Sequence, residues 1–244
     1  MTSFERQWQI RFEKFATRHR SDHLVSGWSA AGLRRRIAVF EGLLDRGLLG
    51  AGARVLELGC GAGTYVRLLA KRGHPVVGLD YSLPSLRHAV AADLPRAGGY
   101  VAGNASGLPF RAGSFKAVSC IGVLQALGQP DATLTEIARV LEPDGVAVVE
   151  TLNPWNLLAA TRRLSAFVRR QPTRLRYGSP KALERAMASR GLAPVRRLSV
   201  LLPPRSLPGL EHTLTQPWFA RAMGMGPGIR ALAPQAYWIV GVKA

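Results

Sequence analysis

Val55-Leu56-Glu57-Leu58-Gly59-Cys60-Gly61-Ala62-Gly63-Thr64-Tyr65 is the stretch whose reading decides the fold. A short buried-strand pattern ends in three alternating glycines and runs into a helical pattern that continues to about Arg72. Glycines between a first strand and a helix let the backbone turn tightly and let a ligand approach main-chain N–H groups. The dinucleotide pattern asks for Gly or Ala where Thr64 stands, and a phosphate loop needs Gly-Lys-Ser/Thr, which is absent. Downstream, Pro75–Leu79 reads as a second strand closed by Asp80, 21 residues after Gly59. A carboxylate at that place can take both ribose hydroxyls of an adenosyl ligand.

The alternation continues outward. A helix over Pro84–Ala92, a strand at Gly99–Ala102, a strand at Ala117–Ile121 and a helix over Thr133–Leu141 follow in order. A further strand, Val146–Thr151, comes after a Pro143-Asp144-Gly145 turn. Strands alternating with helices at this spacing predict βαβ units, hence a doubly wound α/β domain with a parallel sheet. Upstream, residues 4–20 and 30–47 read as helices, the second closed by Gly47 and Gly50. Downstream, helices are expected over 155–170 and Pro180–Arg190, and strands over Val195–Leu202 and Ala236–Val242. Between those strands lies a proline- and glycine-rich insertion, 203–234. The expected organisation is one domain: a helical cap (1–50), a core (51–151) and a basic region (152–244).

Composition bounds the function. With 47% apolar and 20% charged residues the chain is neither disordered, collagenous nor a coiled coil. The longest uncharged apolar run, Ala117–Pro130, falls short of the ~18 residues of a membrane span. MTSFERQWQIRFEKF lacks an apolar core, so it is not expected to be a signal peptide. Two cysteines, Cys60 and Cys120, make neither a disulfide framework nor a Cys-rich zinc site; no metal is expected, and a cytoplasmic location fits. The net charge of +18 is uneven: residues 152–244 hold 15 basic and 2 acidic residues. On a helical wheel over 155–170, Leu157, Leu164, Phe167 and Val168 oppose Arg162, Arg163, Arg169 and Arg170. Such a pattern suits peripheral contact with an anionic membrane, and it equally suits a helix packed on the sheet with its arginines in water.

Taken together, Glu57–Gly63, Val77–Ser82, Gly103–Ala105 with Leu108–Phe110, Val123–Gln125 and Leu141–Gly145 resemble, in order, the motifs of class I S-adenosylmethionine-dependent methyltransferases. The subgroup they resemble includes ubiquinone and menaquinone biosynthesis methyltransferases. The resemblance implies a Rossmann-like sheet of seven strands with the last antiparallel, and S-adenosyl-L-methionine as cofactor. It also implies a cofactor site. Gly59, Cys60, Gly61 and Gly63 would line the methionine moiety, oriented by Glu57, and Asp80 would bind ribose. Tyr81 and Phe110 would flank adenine, and Asn104, Ala105 and Ile121 would complete its pocket. Asn104 stands where the family usually has an acid; its amide oxygen can still accept from the adenine amino group. Phe110 taken alone fits the core as well as it fits adenine.

A hydroxyl acceptor would need a base, and His19 and His23 in the capping segment and His212 in the insertion are the candidates, whereas His74 and His88 are expected at the surface. The acceptor is expected to be small or lipid-like. The charge would also suit RNA, but no Asn/Asp-Pro-Pro-aromatic motif follows the fourth strand and no RNA-module signature is present, so nucleic acid is the lesser reading. A protein that binds the cofactor without catalysis is a third reading.

Overall fold

The computed structural model describes residues 2–93, 98–156, 175–201 and 234–244. Three helices precede the sheet: α1 (Ser3–Arg18), α2 (Asp22–Val25) and α3 (Ala30–Leu44). Alternation then follows through β1 (Val55–Leu58), α4 (Thr64–Lys71), β2 (Val76–Asp80), α5 (Leu83–Ala92) and β3 (Gly99–Ala102). It continues with β4 (Phe115–Cys120), a 3-10 turn at Leu124–Ala126, α6 (Pro130–Val140) and β5 (Leu141–Leu152). The chain closes with α7 (Pro180–Ala188), β6 (Leu192–Val200) and β7 (Ala236–Lys243). The seven strands pair in the order β3-β2-β1-β4-β5-β7-β6. β1 to β5 run parallel, and β7 lies antiparallel between β5 and β6. This is the doubly wound sheet the sequence predicts.

Local chemistry sets the helix ends. Thr2 and Glu5 form a reciprocal capping box on α1, and Ser29, Ser82 and Ser179 each cap the helix they precede through the side-chain oxygen. The expected helix over 4–20 is shorter than predicted: α1 ends at Arg18, His19 is extended, and α2 starts afresh at Asp22. The turn expected at Pro143–Gly145 is instead absorbed into β5 as a bulge, where the register with β4 slips. Asp144 takes φ 57° there, a left-handed conformation that Asp tolerates better than most residues. β6 begins at Leu192, not Val195; its residues Ala193–Arg197 are exposed on the sheet edge, so no buried alternation marks its start. The helix expected over 155–170 and the insertion 203–234 fall almost wholly outside the described residues.

Period-two alternation sends each strand's residues to two cores. On one face Leu56, Leu58, Val118 and Val149 pack under Ile137 of α6 and Met187 of α7. On the other, Val55, Ala117, Val148 and Trp238 pack under Phe40 of α3 and Val66 and Leu69 of α4. Each fully buried large side chain contributes about 1.5–3 kcal/mol of transfer free energy. The strand order reverses between β1 and β4, which opens a crevice at the C-terminal ends of the strands.

Candidate functional site

The cleft sits at that reversal. Its floor is Gly59, Gly61, Asp80, Tyr81, Ile121, Gly122 and Val123, and its roof is Phe12, Val25, Ser26 and Trp28 from the helical cap. Gly59 has φ 66°, and a Cβ there would collide with Val123, so only glycine lets the first turn close. Gly122, φ 80°, faces the Trp28 ring in the same way. The cleft encloses about 60 Å3, far below the ~300–1,000 Å3 of small-molecule pockets, so the cap is closed down on the site.

Two carboxylates flank this turn: Asp80 lines the cleft, whereas Glu57, on β1 two residues before Gly59, is buried and is not among the lining residues. Asp80 accepts from Gly61 N–H (2.9 Å) through Oδ2 and from Ser82 N–H (2.8 Å) through Oδ1. Burial pushes its pKa up, and the amides of Ser82, Gly61 and Tyr81 pull against that shift. Glu57, 1% exposed, has no such help: its Oε2 lacks any hydrogen-bond partner, and burial holds its pKa well above the carboxylate range. The Tyr81 hydroxyl is also buried without a partner; burial, then the charges of Asp80, Glu13 and Glu5, keep it protonated, a donor and not a base.

Other expected residues stand elsewhere. Cys60 turns into the core with its thiol against Gly78, and burial raises its pKa. Gly63 caps α4 in a left-handed conformation beside Tyr100 and Ala89, outside the cleft wall. Asn104 is exposed, its Oδ1 already accepting from Ser106 N–H (2.9 Å). Ala105 is buried in the core, and Phe110 packs edge-on against Phe115 with centroids 5.0 Å apart. No described histidine lines the cleft: His19 stacks near Phe15, His23 is partly buried in α2, and His212 lies outside the described residues. His74, expected at the surface, is instead buried, with Nδ1 3.2 Å from Ala53 O. His88, also expected there, is partly buried with Nε2 3.5 Å from Asp22.

The structure adds residues that sequence reasoning missed. Asp22 ties the cap to the core, accepting from Thr64 Oγ1 (2.6 Å) and from Arg67. Thr64, the residue that departs from the dinucleotide pattern, thus anchors the cap. Arg36 in α3 donates twice to Glu150 on β5, both at 2.9 Å, and Trp238 Nε1 donates to the same carboxylate (2.8 Å). Burial opposes the Arg36 charge, and Glu150 more than offsets it, so its pKa is raised. The guanidinium lies 4.3 Å from the Trp28 ring, which it braces against the cleft. Arg36 and Glu150 are 114 residues apart, and no local pattern announces them.

Residues 56–149 match a family model described as a methyltransferase domain. The chain carries a class I S-adenosylmethionine-dependent methyltransferase domain. The domain is similar to a ubiquinone biosynthesis O-methyltransferase from Psychrobacter cryohalolentis, 28% identical over 60% of this chain and 59% of that protein. It is also similar to a demethylmenaquinone methyltransferase from Mycobacterium tuberculosis, 34% identical over 56% of this chain and 58% of that one. The chain thus spans under three fifths of the length of either curated relative. Among solved structures, a Haloferax volcanii methyltransferase in complex with the Trm112 activator superposes with a TM-score of 0.64. That pair is 20% identical over 98% of this chain and 95% of that one, a likeness of fold. S-adenosyl-L-methionine is the cofactor of methyltransferase domains of this class. The cleft wall suits it, with the Asp80 carboxylate at the β2 end for a diol and a glycine turn open to close approach; the bare Glu57 oxygen lies just before that turn in sequence, off the wall. No helix among the described residues is long and apolar enough to cross a membrane.

Proposed function

We propose that the protein transfers a methyl group from S-adenosylmethionine to a hydroxyl oxygen of a small or lipid-like acceptor. The observation that carries this reading is the unpaired Glu57 carboxylate oxygen buried two residues before the Gly59 turn. Glu57 would orient the cofactor's methionine end through a bridging water, and Asp80 would bind its ribose. Tyr81 and Ile121 would pack along the adenosyl group. Gly61 would lie against the methionine chain. The cofactor supplies an already activated methyl group when bound. The protein's own work is to orient, to exclude water and to hold the acceptor. Phe12, Val25 and Trp28 must move outward to admit a ligand of this size and then close over it, which places water exclusion in the cap. With His19 and His23 off the cleft wall, they reach an acceptor proton only if the cap rearranges on binding. The activities for which both relatives are named, in ubiquinone biosynthesis and on demethylmenaquinone, support an acceptor of the small or lipid-like kind.

The test uses cofactor with a labelled methyl group, incubated with the protein and a lysate of its source cells, then partitioned. Label in the organic extract or the aqueous small-molecule fraction is the expected result. Label in precipitated nucleic acid would overturn the acceptor class and make the basic region a phosphate-binding surface.

A further inference from the structure

Beside the cleft lies a larger hollow of about 710 Å3, within the size range of small-molecule pockets. The two share a wall. The turn after β4 gives Val123, Ala126 and Leu127 to the cleft, and Leu124 and Gln125 to the hollow. The remaining described walls are largely apolar, with Phe4 of α1, Leu134 of α6 and Leu183 of α7 among them. Thr151 also faces it, but its hydroxyl is engaged, donating to Gly178 O (3.1 Å). Asp131 and Arg190 neutralise each other at the rim, 2.8 Å apart.

Of the polar residues on the described wall, which also include Arg176, Tyr177 and Ser179, Gln125 alone carries a buried side-chain oxygen without a hydrogen-bond partner. The residue is 7% exposed. Buried amide oxygens in native folds are satisfied almost without exception, because leaving one bare forfeits the bond it made to water. Gln125 lines the hollow, and a bare oxygen on a lining side chain marks a place where a ligand completes the bond once the amide turns toward it. A carbonyl oxygen only accepts, so the ligand must donate; a carboxylate or phosphate facing it would repel.

We infer that this hollow binds the acceptor's apolar body, with a hydroxyl of that molecule donating to Gln125 Oε1. The class implied is a phenol or alcohol carried on an aromatic or alkyl body. The inference rests on the methyl-transfer reading and deepens it: a molecule seated here touches the turn that frames the cofactor cleft. Arg176, exposed with its guanidinium 5.6 Å from the Phe4 ring, stands at the mouth.

The test is calorimetric titration of the whole protein with two matched probes, 4-propylphenol and propylbenzene. Three proteins are compared: the parent, Gln125→Met, and Ala182→Trp, which fills the hollow from an exposed position on α7. The parent is expected to bind the phenol more tightly than the hydrocarbon. Gln125→Met should weaken the phenol roughly tenfold and leave propylbenzene unchanged. Ala182→Trp should weaken both. Equal phenol affinity in parent and Gln125→Met overturns the hydrogen-bond assignment, and no binding, or binding indifferent to Ala182→Trp, overturns the hollow. S-adenosylmethionine is titrated in parallel. Phenol binding as expected without cofactor binding sinks the methyl-transfer reading and keeps the hollow, and the reverse result sinks only the hollow.

Discussion

Glu57 and Glu150 lie on the same face of one sheet. Glu57 pairs in register with Ser119, Ser119 with Val148, and Glu150 follows two residues later on β5. Both carboxylates are buried, at 1% and 0% exposure. On β5 the charge is fully answered, by two bonds from Arg36 and one from Trp238. On β1 one oxygen of Glu57 is answered by nothing. A buried carboxyl group that the fold satisfies is architecture; one it leaves with a bare oxygen is the kind of group a ligand can complete. The difference separates a structural brace from the group we propose for the cofactor.

The largest expected effect is on the satisfied member. Glu150→Ala leaves Arg36 buried without a counter-charge, and urea denaturation should show a loss of about 3–5 kcal/mol. The double change Arg36→Met with Glu150→Leu should recover most of it, because an apolar pair of similar volume replaces the ions. A loss under about 1 kcal/mol in the single variant would erase the distinction.

Glu57→Gln should behave oppositely. The folded pKa of Glu57 lies above its ordinary 4.5, so the folded state holds the proton longer than the unfolded chain does. Whatever the protonated carboxyl contributes is present below that ordinary value and is lost as pH rises through the folded pKa. The variant should therefore gain on the parent with rising pH, by about 1–3 kcal/mol at the alkaline end. Parallel pH profiles of the two denaturation midpoints would break the comparison.

Glu5 is the middle case. Its carboxylate accepts from Thr2 N–H (2.6 Å) and Gly128 N–H (2.9 Å), tying α1 to the loop that follows the post-β4 turn. Burial raises its pKa, and these donors outweigh burial, so the net shift is downward. That stabilisation is present above the ordinary pKa and is lost as pH falls through the lowered folded value. Glu5→Ala should cost about 1 kcal/mol near neutral pH and progressively less in acid.

Legibility in the sequence follows range. The β1 turn, Asp80 and the alternation through β5 could be read because a few neighbouring residues dictate each of them. The Asp144 bulge could not, because a left-handed residue inside a strand looks like a turn from local chemistry alone. The end of α1 and the single turn of α2 were not legible, because His19-Arg20-Ser21-Asp22-His23 offers no apolar spacing by which to place either. In the site, Gly59, Gly61, Asp80, Tyr81 and Ile121 lie on the cleft wall, whereas Phe110 answers to Phe115 and Asn104 to its own turn. Trp28 and the Arg36–Glu150 brace are products of tertiary contact, set by which helix folds over which strand end.

The central claim is that the glycine turn with Asp80 and Glu57 holds S-adenosylmethionine. Calorimetric titration of the cofactor into the parent protein and Asp80→Ala, with thermal unfolding of both recorded, tests it most directly. The account predicts binding by the parent and a loss of at least roughly 100-fold in the variant, with the variant still folded. Equal affinity in the two proteins would contradict it.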